Sequence, residues 1–193
     1  MFAPLVGALI GILGGAAYWL AAQIWPSSVA VILCMALTAW LVSRTQSVLP
    51  VAGFDFGIRF FGLFIKFNAL MALSAAKLPF AVPANVPLGL IMVCAHAASF
   101  ALMVSVLGLR PPNEASKSGG GTLSIALLLG LSPAAILGIP GLSGLAAAIA
   151  VSLGVIAFLK LKRMKATDDM LGLAQLFSET GFYLGALATW SYV

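Results

Sequence analysis

The chain consists almost entirely of long apolar stretches, and this constrains its fold more than any motif does. Hydrophobic residues make up 62% and charged residues 8% of the sequence, which excludes an ordinary soluble domain. We therefore predict an all-α, polytopic transmembrane helix bundle of about seven spans, a single integral membrane domain over residues 1–193 that contacts the lipid bilayer. The spans are expected at about Pro4 to Trp25, Ser28 to Val42, Gly57 to Ala76, Val86 to Leu109, Thr122 to Leu137, Leu142 to Leu159 and Met170 to the end.

The basic residues predict how this bundle is oriented. With seven spans, the amino terminus shares a side with the connections after spans two, four and six. Eight of the ten Lys and Arg residues fall on that side, Lys77 falls on the other, and Lys66 lies within a span. Because positive residues are retained on the cytoplasmic side, we predict a cytoplasmic amino terminus and a multi-pass protein of a bacterial-type inner (cytoplasmic) membrane. Topology also explains the net charge of +5, so no nucleic-acid partner is expected.

Acidic residues are scarce and concentrate around the start of the last span. Only five occur in the chain, and Asp168, Asp169 and Glu179 lie within twelve positions of one another. If the stretch after Asp169 is helical, Gly172, Gln175 and Glu179 share one face. An ionisable group at membrane depth is costly unless it faces protein or water. Glu179 therefore predicts a lined interior site, or at least a paired position between helices.

Lys66, in the middle of the third span, is costly for the same reason. A central lysine costs roughly 2.5 to 3.5 kcal/mol on insertion scales, so it requires a partner, water, or a route to the surface along its own stem. An ion pair between Lys66 and Glu179 is the cheapest way to keep both charges, and we state that pairing as a prediction. His96, the only histidine, stands among alanines, a setting more typical of a packed or hydrogen-bonded neutral residue than of a ligand.

Glycines mark two further features. Gly7, Gly11 and Gly15 follow a four-residue spacing in the first span, which lets another helix approach closely. The fifth and sixth spans are joined by GIPG at positions 138–141, which is too short for anything but a turn.

Several polar elements converge on the predicted cytoplasmic face. Asp55 lies near Arg59 in the sequence. The turn from Lys160 to Asp169 begins with basic residues and ends with acidic ones. Glu179 lies about two to three helical turns further into the membrane than this turn. Carboxylates beside lysines and arginines suit a magnesium-bridged phosphate ligand, because magnesium takes oxygen ligands and phosphates take the cations. Topology and contact with anionic lipids explain the basic cluster without any substrate, and both interpretations stay open.

Three segments, taken in chain order, carry a resemblance to a known family. They read FAPLVGALIGILGGAAYWL, GFDFGIRFFGLFIKFNALMAL and KRMKATDDMLGLAQLFSE. Together they resemble cobalamin synthase, the adenosylcobinamide-GDP ribazoletransferase family of integral membrane enzymes. In the second and third segments the matching residues are Asp55, Ile58, Gly62, Lys66, Thr167, Asp169, Leu171, Gly172, Ser178 and Glu179.

The resemblance implies a transferase that joins α-ribazole to adenosylcobinamide-GDP and releases GMP in cobalamin biosynthesis. On that interpretation Asp55, Asp169 and Glu179 would hold Mg²⁺, and Lys66 or Arg59 would meet the phosphates as catalytic residues.

The chain departs from the family pattern between the second and third spans. The family carries an acidic metal-binding signature there, whereas this chain reads SRTQSVLPVAGF. On that ground the preferred interpretation is a shortened, cobalamin-synthase-like membrane protein that acts as a non-catalytic structural or accessory subunit, with membrane-protein partners or as a homo-oligomer, and without a cofactor. The alternative is the active, Mg²⁺-dependent ribazoletransferase.

Overall fold

The predicted all-α membrane bundle is confirmed by a computed structural model, which describes residues 2–45, 55–75, 85–107, 120–161 and 168–190. Within those ranges the chain forms seven helices and no strand. The helices are α1 (Ala3–Ala21), α2 (Ser27–Thr45), α3 (Asp55–Ala75), α4 (Asn85–Leu107), α5 (Gly120–Ile136), α6 (Ile139–Leu161) and α7 (Asp168–Trp190). Each begins and ends within a few residues of a predicted span.

The outer surface of the bundle is apolar, as a lipid environment requires. Four helices are long and apolar enough to cross a membrane: α1, α2, α3 from Gly57 and α6 as far as Phe158. The described parts of α4 and α5 contain shorter apolar helices. Large side chains such as Trp19, Ile32 and Phe60 are exposed on the outer faces, where lipid tails would cover them. The chain is therefore a multi-pass helical membrane protein.

Helix α4 lies at the centre of the bundle. Every residue from Cys94 to Met103 is buried, and α4 contacts α1, α3, α5, α6 and α7. A helix that is apolar all round suits this position, because it has no face that must meet water. His96 therefore lies in the middle of the bundle core.

The glycines of α1 form the contact with this central helix. A Cβ atom added at Gly7 would lie 2.5 Å from the backbone oxygen of His96, and one added at Gly11 would lie 2.5 Å from Cα of Val93. Gly15 faces Gly89 in the same way. The predicted close approach is confirmed, and the partner is α4.

The turn between α5 and α6 is shorter than the sequence predicted. Helix α5 ends at Ile136 and α6 begins at Ile139, so Ile139, Pro140 and Gly141 belong to the first turn of α6. Proline is favoured there because the first amides of a helix have no intrahelical acceptor. Gly138 makes the turn with a φ of +64°, a left-handed conformation that favours glycine.

Replacing Gly11 with valine should destabilise the bundle, because the new side chain would overlap the backbone of α4. Overpacking of this kind costs about 1 to 3 kcal/mol, so we expect a lower thermal unfolding midpoint in mild detergent. Gly154→Val in α6 is the matched control, since nothing lies within 4 Å of an added Cβ there. Equal losses in both variants would mean that helix propensity, and not the α1–α4 contact, limits the replacement of glycine.

Candidate functional site

The interior of the bundle contains a buried ion pair between α3 and α7. Nζ of Lys66 lies 2.6 Å from Oε1 of Glu179. Lys66 is 4% and Glu179 2% exposed, so both charges are shielded from bulk water. The predicted pairing of these two residues is confirmed. Such a pair is stable only when its geometry is good and further hydrogen bonds satisfy its remaining polar atoms.

Two more side chains converge on the same carboxylate oxygen. The hydroxyl of Tyr183 donates a 2.9 Å hydrogen bond to Oε1 of Glu179, and Nε2 of His96 lies 3.3 Å from that oxygen. The ring of Tyr183 also faces Lys66, with Nζ 6.0 Å from the ring centroid. Tyr183 therefore contacts both members of the ion pair, one through its hydroxyl and the other through its ring.

His96 is held in one orientation by its own helix. Its Nδ1 lies 3.0 Å from the carbonyl oxygen of Met92, and because a carbonyl can only accept, Nδ1 carries a proton. Among the described residues, Nε2 has no hydrogen-bond partner of good geometry, although it faces Glu179. The packed, hydrogen-bonded histidine expected from the sequence is present, and it also forms part of the charged cluster.

The cluster lies at one depth because the helices are in register. Lys66 is eleven residues from the start of α3 and Glu179 is eleven from the start of α7. At about 1.5 Å per residue, both lie about 16 Å along their helices. His96 is eleven residues from the end of α4, which runs in the opposite direction. Three helices thus bring their polar groups to the middle of the bundle.

A cavity of about 350 Å³ extends from this cluster towards the end of the bundle where α2 ends and α3 and α7 begin. Gly172, Gln175 and Glu179 all line it, so the predicted polar stripe of α7 is confirmed. Arg59 lies on the same wall as Lys66 and is half-buried. The described residues that line the cavity are Thr38, Ala39, Val42, Ser43, Arg59, Leu63, Lys66, His96, Gly172, Gln175, Leu176 and Glu179.

The structure brings together three of the five predicted site residues. Lys66, Arg59 and Glu179 line the cavity. Asp55 and Asp169 lie at the starts of α3 and α7, and their side chains fall outside the described residues. Among the side chains that are described, no group of three His, Cys, Asp or Glu residues suits a metal ion. The magnesium site of Asp55, Asp169 and Glu179 stays a prediction.

Sequence reasoning missed Tyr183 and placed His96 outside the site. Tyr183 follows Glu179 by four residues and so extends the polar stripe of α7 by one turn; this spacing was a usable signal. His96 offered no comparable signal, because nothing in the sequence shows which face of α4 meets α3 and α7. Thr38 and Ser43 of α2 line the cavity and were likewise not identified.

The fold and the site together define a polytopic helical membrane protein with a charged cluster buried beneath an interior cavity. Among curated proteins the chain is similar to the adenosylcobinamide-GDP ribazoletransferase of Leptothrix cholodnii, at 31% identity over 223 residues that include 96% of this chain and 83% of the relative. The chain belongs to this family, cobalamin synthase. The aligned region is longer than the 193-residue chain, so the relative contains residues without a counterpart here. No family model and no solved structure matches the chain.

Removing either member of the ion pair should destabilise the protein strongly, because each substitution leaves the other charge buried without its partner. We expect Lys66→Met and Glu179→Gln each to cost about 3 to 5 kcal/mol of unfolding free energy in detergent. The double variant should lose much less than the sum, which a double-mutant cycle of unfolding free energies measures. Arg44→Met is the control, since Arg44 is exposed beside Trp40. Additive losses would contradict the dependence of Lys66 and Glu179 on each other.

Proposed function

We propose that this protein acts in cobalamin biosynthesis as a non-catalytic accessory subunit of an inner-membrane complex, using its interior cavity to hold an anionic ligand. The observation that carries the proposal is that the Glu179 carboxylate is already engaged by other side chains of the protein. Its Oε1 already accepts from Lys66 and Tyr183, and Glu179 is the one carboxylate that the described residues contribute to the lining of the cavity. A carboxylate engaged in this way is a poor ligand for magnesium, which requires oxygens directed at the ion.

The charge of the cavity supports an anion as its ligand. Arg59 and Lys66 lie seven residues apart on α3, which places them on one face about 10 Å apart along the helix. Both line the cavity, as does His96. Thr38, Ser43 and Gln175 add polar groups to the lining, and arginine and lysine are the usual partners of phosphate groups.

Magnesium is not supported by the described side chains. A hexacoordinate ion needs several oxygen ligands, and Glu179 is the only acidic side chain that the structure places at the cavity. The connection between α2 and α3 adds none before Asp55, since it reads QSVLPVAGF at positions 46–54.

The purified protein should release no GMP and form no cobalamin from adenosylcobinamide-GDP, α-ribazole and Mg²⁺. The physical reason is the shortage of oxygen ligands to hold the Mg²⁺ ion that would neutralise the phosphates in the transition state. Product would be measured by chromatography, with the enzyme of Leptothrix cholodnii assayed in parallel in the same detergent. Product from this chain above the no-protein background would overturn the non-catalytic proposal.

An accessory subunit should also remain bound to its complex. Purified from its native membrane in mild detergent, the tagged protein is expected to bring down at least one stoichiometric membrane-protein partner, identified by mass spectrometry. An unrelated tagged membrane protein of similar size is the control. A clean, monodisperse monomer obtained under the same conditions would count against the accessory role.

A second function, the ribazoletransferase itself, is favoured by one observation of placement. Gly62 of α3 packs against Leu176 and Phe177 of α7, and Lys66 pairs with Glu179. The same register brings the first residues of both helices, Asp55 and Asp168, to one end of the bundle. On this alternative Asp55 and Asp169 would hold Mg²⁺ there, while Arg59 and Lys66 orient the phosphates and α-ribazole displaces GMP from adenosylcobinamide-GDP. The activity assay decides between the two functions.

A further inference from the structure

Lys66 belongs to two sites at once. It lines the cavity, where an anionic ligand would seek it, and its Nζ is already 2.6 Å from Oε1 of Glu179. A ligand that binds Lys66 therefore competes with a carboxylate that is part of the protein. This competition rests on the proposed function, the binding of an anion in the cavity.

The competition depends on charge because both members of the ion pair are buried. Glu179 is 2% exposed, so water contributes little when Lys66 turns away from it. For Lys66, binding a ligand with a single negative charge would exchange the Glu179 carboxylate for another anion of equal charge. The Coulomb attraction between Lys66 and its partner would therefore not increase. A ligand with two negative charges attracts Lys66 more strongly than Glu179 does, since the interaction scales with the product of the charges.

The carboxylate that Lys66 leaves would still have a hydrogen-bond donor. The Tyr183 hydroxyl donates to Oε1 at 2.9 Å, and this contact lies within α7 and does not involve Lys66. Nε2 of His96 lies 3.3 Å from the same oxygen. Glu179 can therefore stay in place while the ammonium group of Lys66 is shared with a ligand.

We infer that Glu179 is an internal counterion that determines the charge specificity of the cavity, admitting ligands with two or more negative charges and excluding monoanions of the same shape. In this role Glu179 is a specificity-determining residue. It acts by holding Lys66 and needs no contact with the ligand.

Methyl phosphate and methyl sulfate test the inference, because they share one shape and differ by one charge at pH 8. The second pKa of a phosphate ester is about 6, so at pH 8 methyl phosphate is a dianion and methyl sulfate is a monoanion. Binding to the purified protein would be measured by calorimetry in detergent. The wild type should bind methyl phosphate about tenfold or more tightly than methyl sulfate. Glu179→Gln should reduce that ratio to about threefold or less, mainly by tighter binding of methyl sulfate.

Two control variants separate this inference from the proposed function. Arg44→Gln, which removes a cation outside the cavity lining, should keep the wild-type ratio. Lys66→Met should abolish binding of both probes. If the wild type binds neither probe, the proposed anion site fails and the inference fails with it. If the wild type binds methyl phosphate but Glu179→Gln leaves the ratio unchanged or weakens both probes, only the inference is overturned.

A measurement on the wild type keeps the inference testable if Glu179→Gln does not fold. His96 is the only histidine in the chain, so ¹⁵N-histidine labelling gives the signals of one ring. Methyl phosphate should shift the Nε2 resonance, because Lys66 moves away from the oxygen that Nε2 faces. Methyl sulfate at the same concentration should leave it unchanged. Equal shifts with both probes would contradict a charge-selective site.

Discussion

The cost of burying charge in an apolar bundle governs this structure. Lys66 and Glu179 are both nearly inaccessible to water, and each is tolerable only because the other is 2.6 Å away. The pair constrains the bundle in turn, because α3 and α7 must keep the register that brings two mid-helix residues together. It also constrains α4 and the last part of α7, which supply His96 and Tyr183 to the same oxygen. Buried charge acts here as a specification of geometry more than as a source of stability.

Small residues make that geometry possible. Gly7, Gly11 and Gly15 bring the backbone of α1 against α4, which fixes the helix that carries His96. On the other side of the bundle, Gly144 and Gly185 bring α6 against α7. In a membrane such contacts replace the hydrophobic effect as a source of helix association, since lipid tails are as apolar as the side chains that would be buried. The helices that present the charged cluster are thus held from outside by close backbone packing.

Most of the fold was predictable from the sequence, and the reasons are physical. The seven helices follow from apolar length, and the Lys66–Glu179 pair follows from the cost of isolated charge at membrane depth. The polar stripe of α7 follows from helical spacing. The neighbours of each helix do not follow from hydropathy, which is why His96 and Thr38 were not placed at the site. The turn at Gly138 was predicted as a turn, but the start of α6 at Ile139 depends on proline being accepted in a first helical turn.

Membership of a family does not by itself decide what this chain does at the cavity. Among the described residues that line it, Arg59 and Lys66 are basic and Glu179 is acidic. Glu179 carries a single negative charge, and its Oε1 already pairs with Lys66. A magnesium ion in the cavity would be repelled by the ammonium group of Lys66, whereas a phosphate group would be attracted to it. The two basic residues on one wall therefore support the anionic ligand that we propose, whereas two of the predicted metal ligands, Asp55 and Asp169, belong to the first turns of α3 and α7.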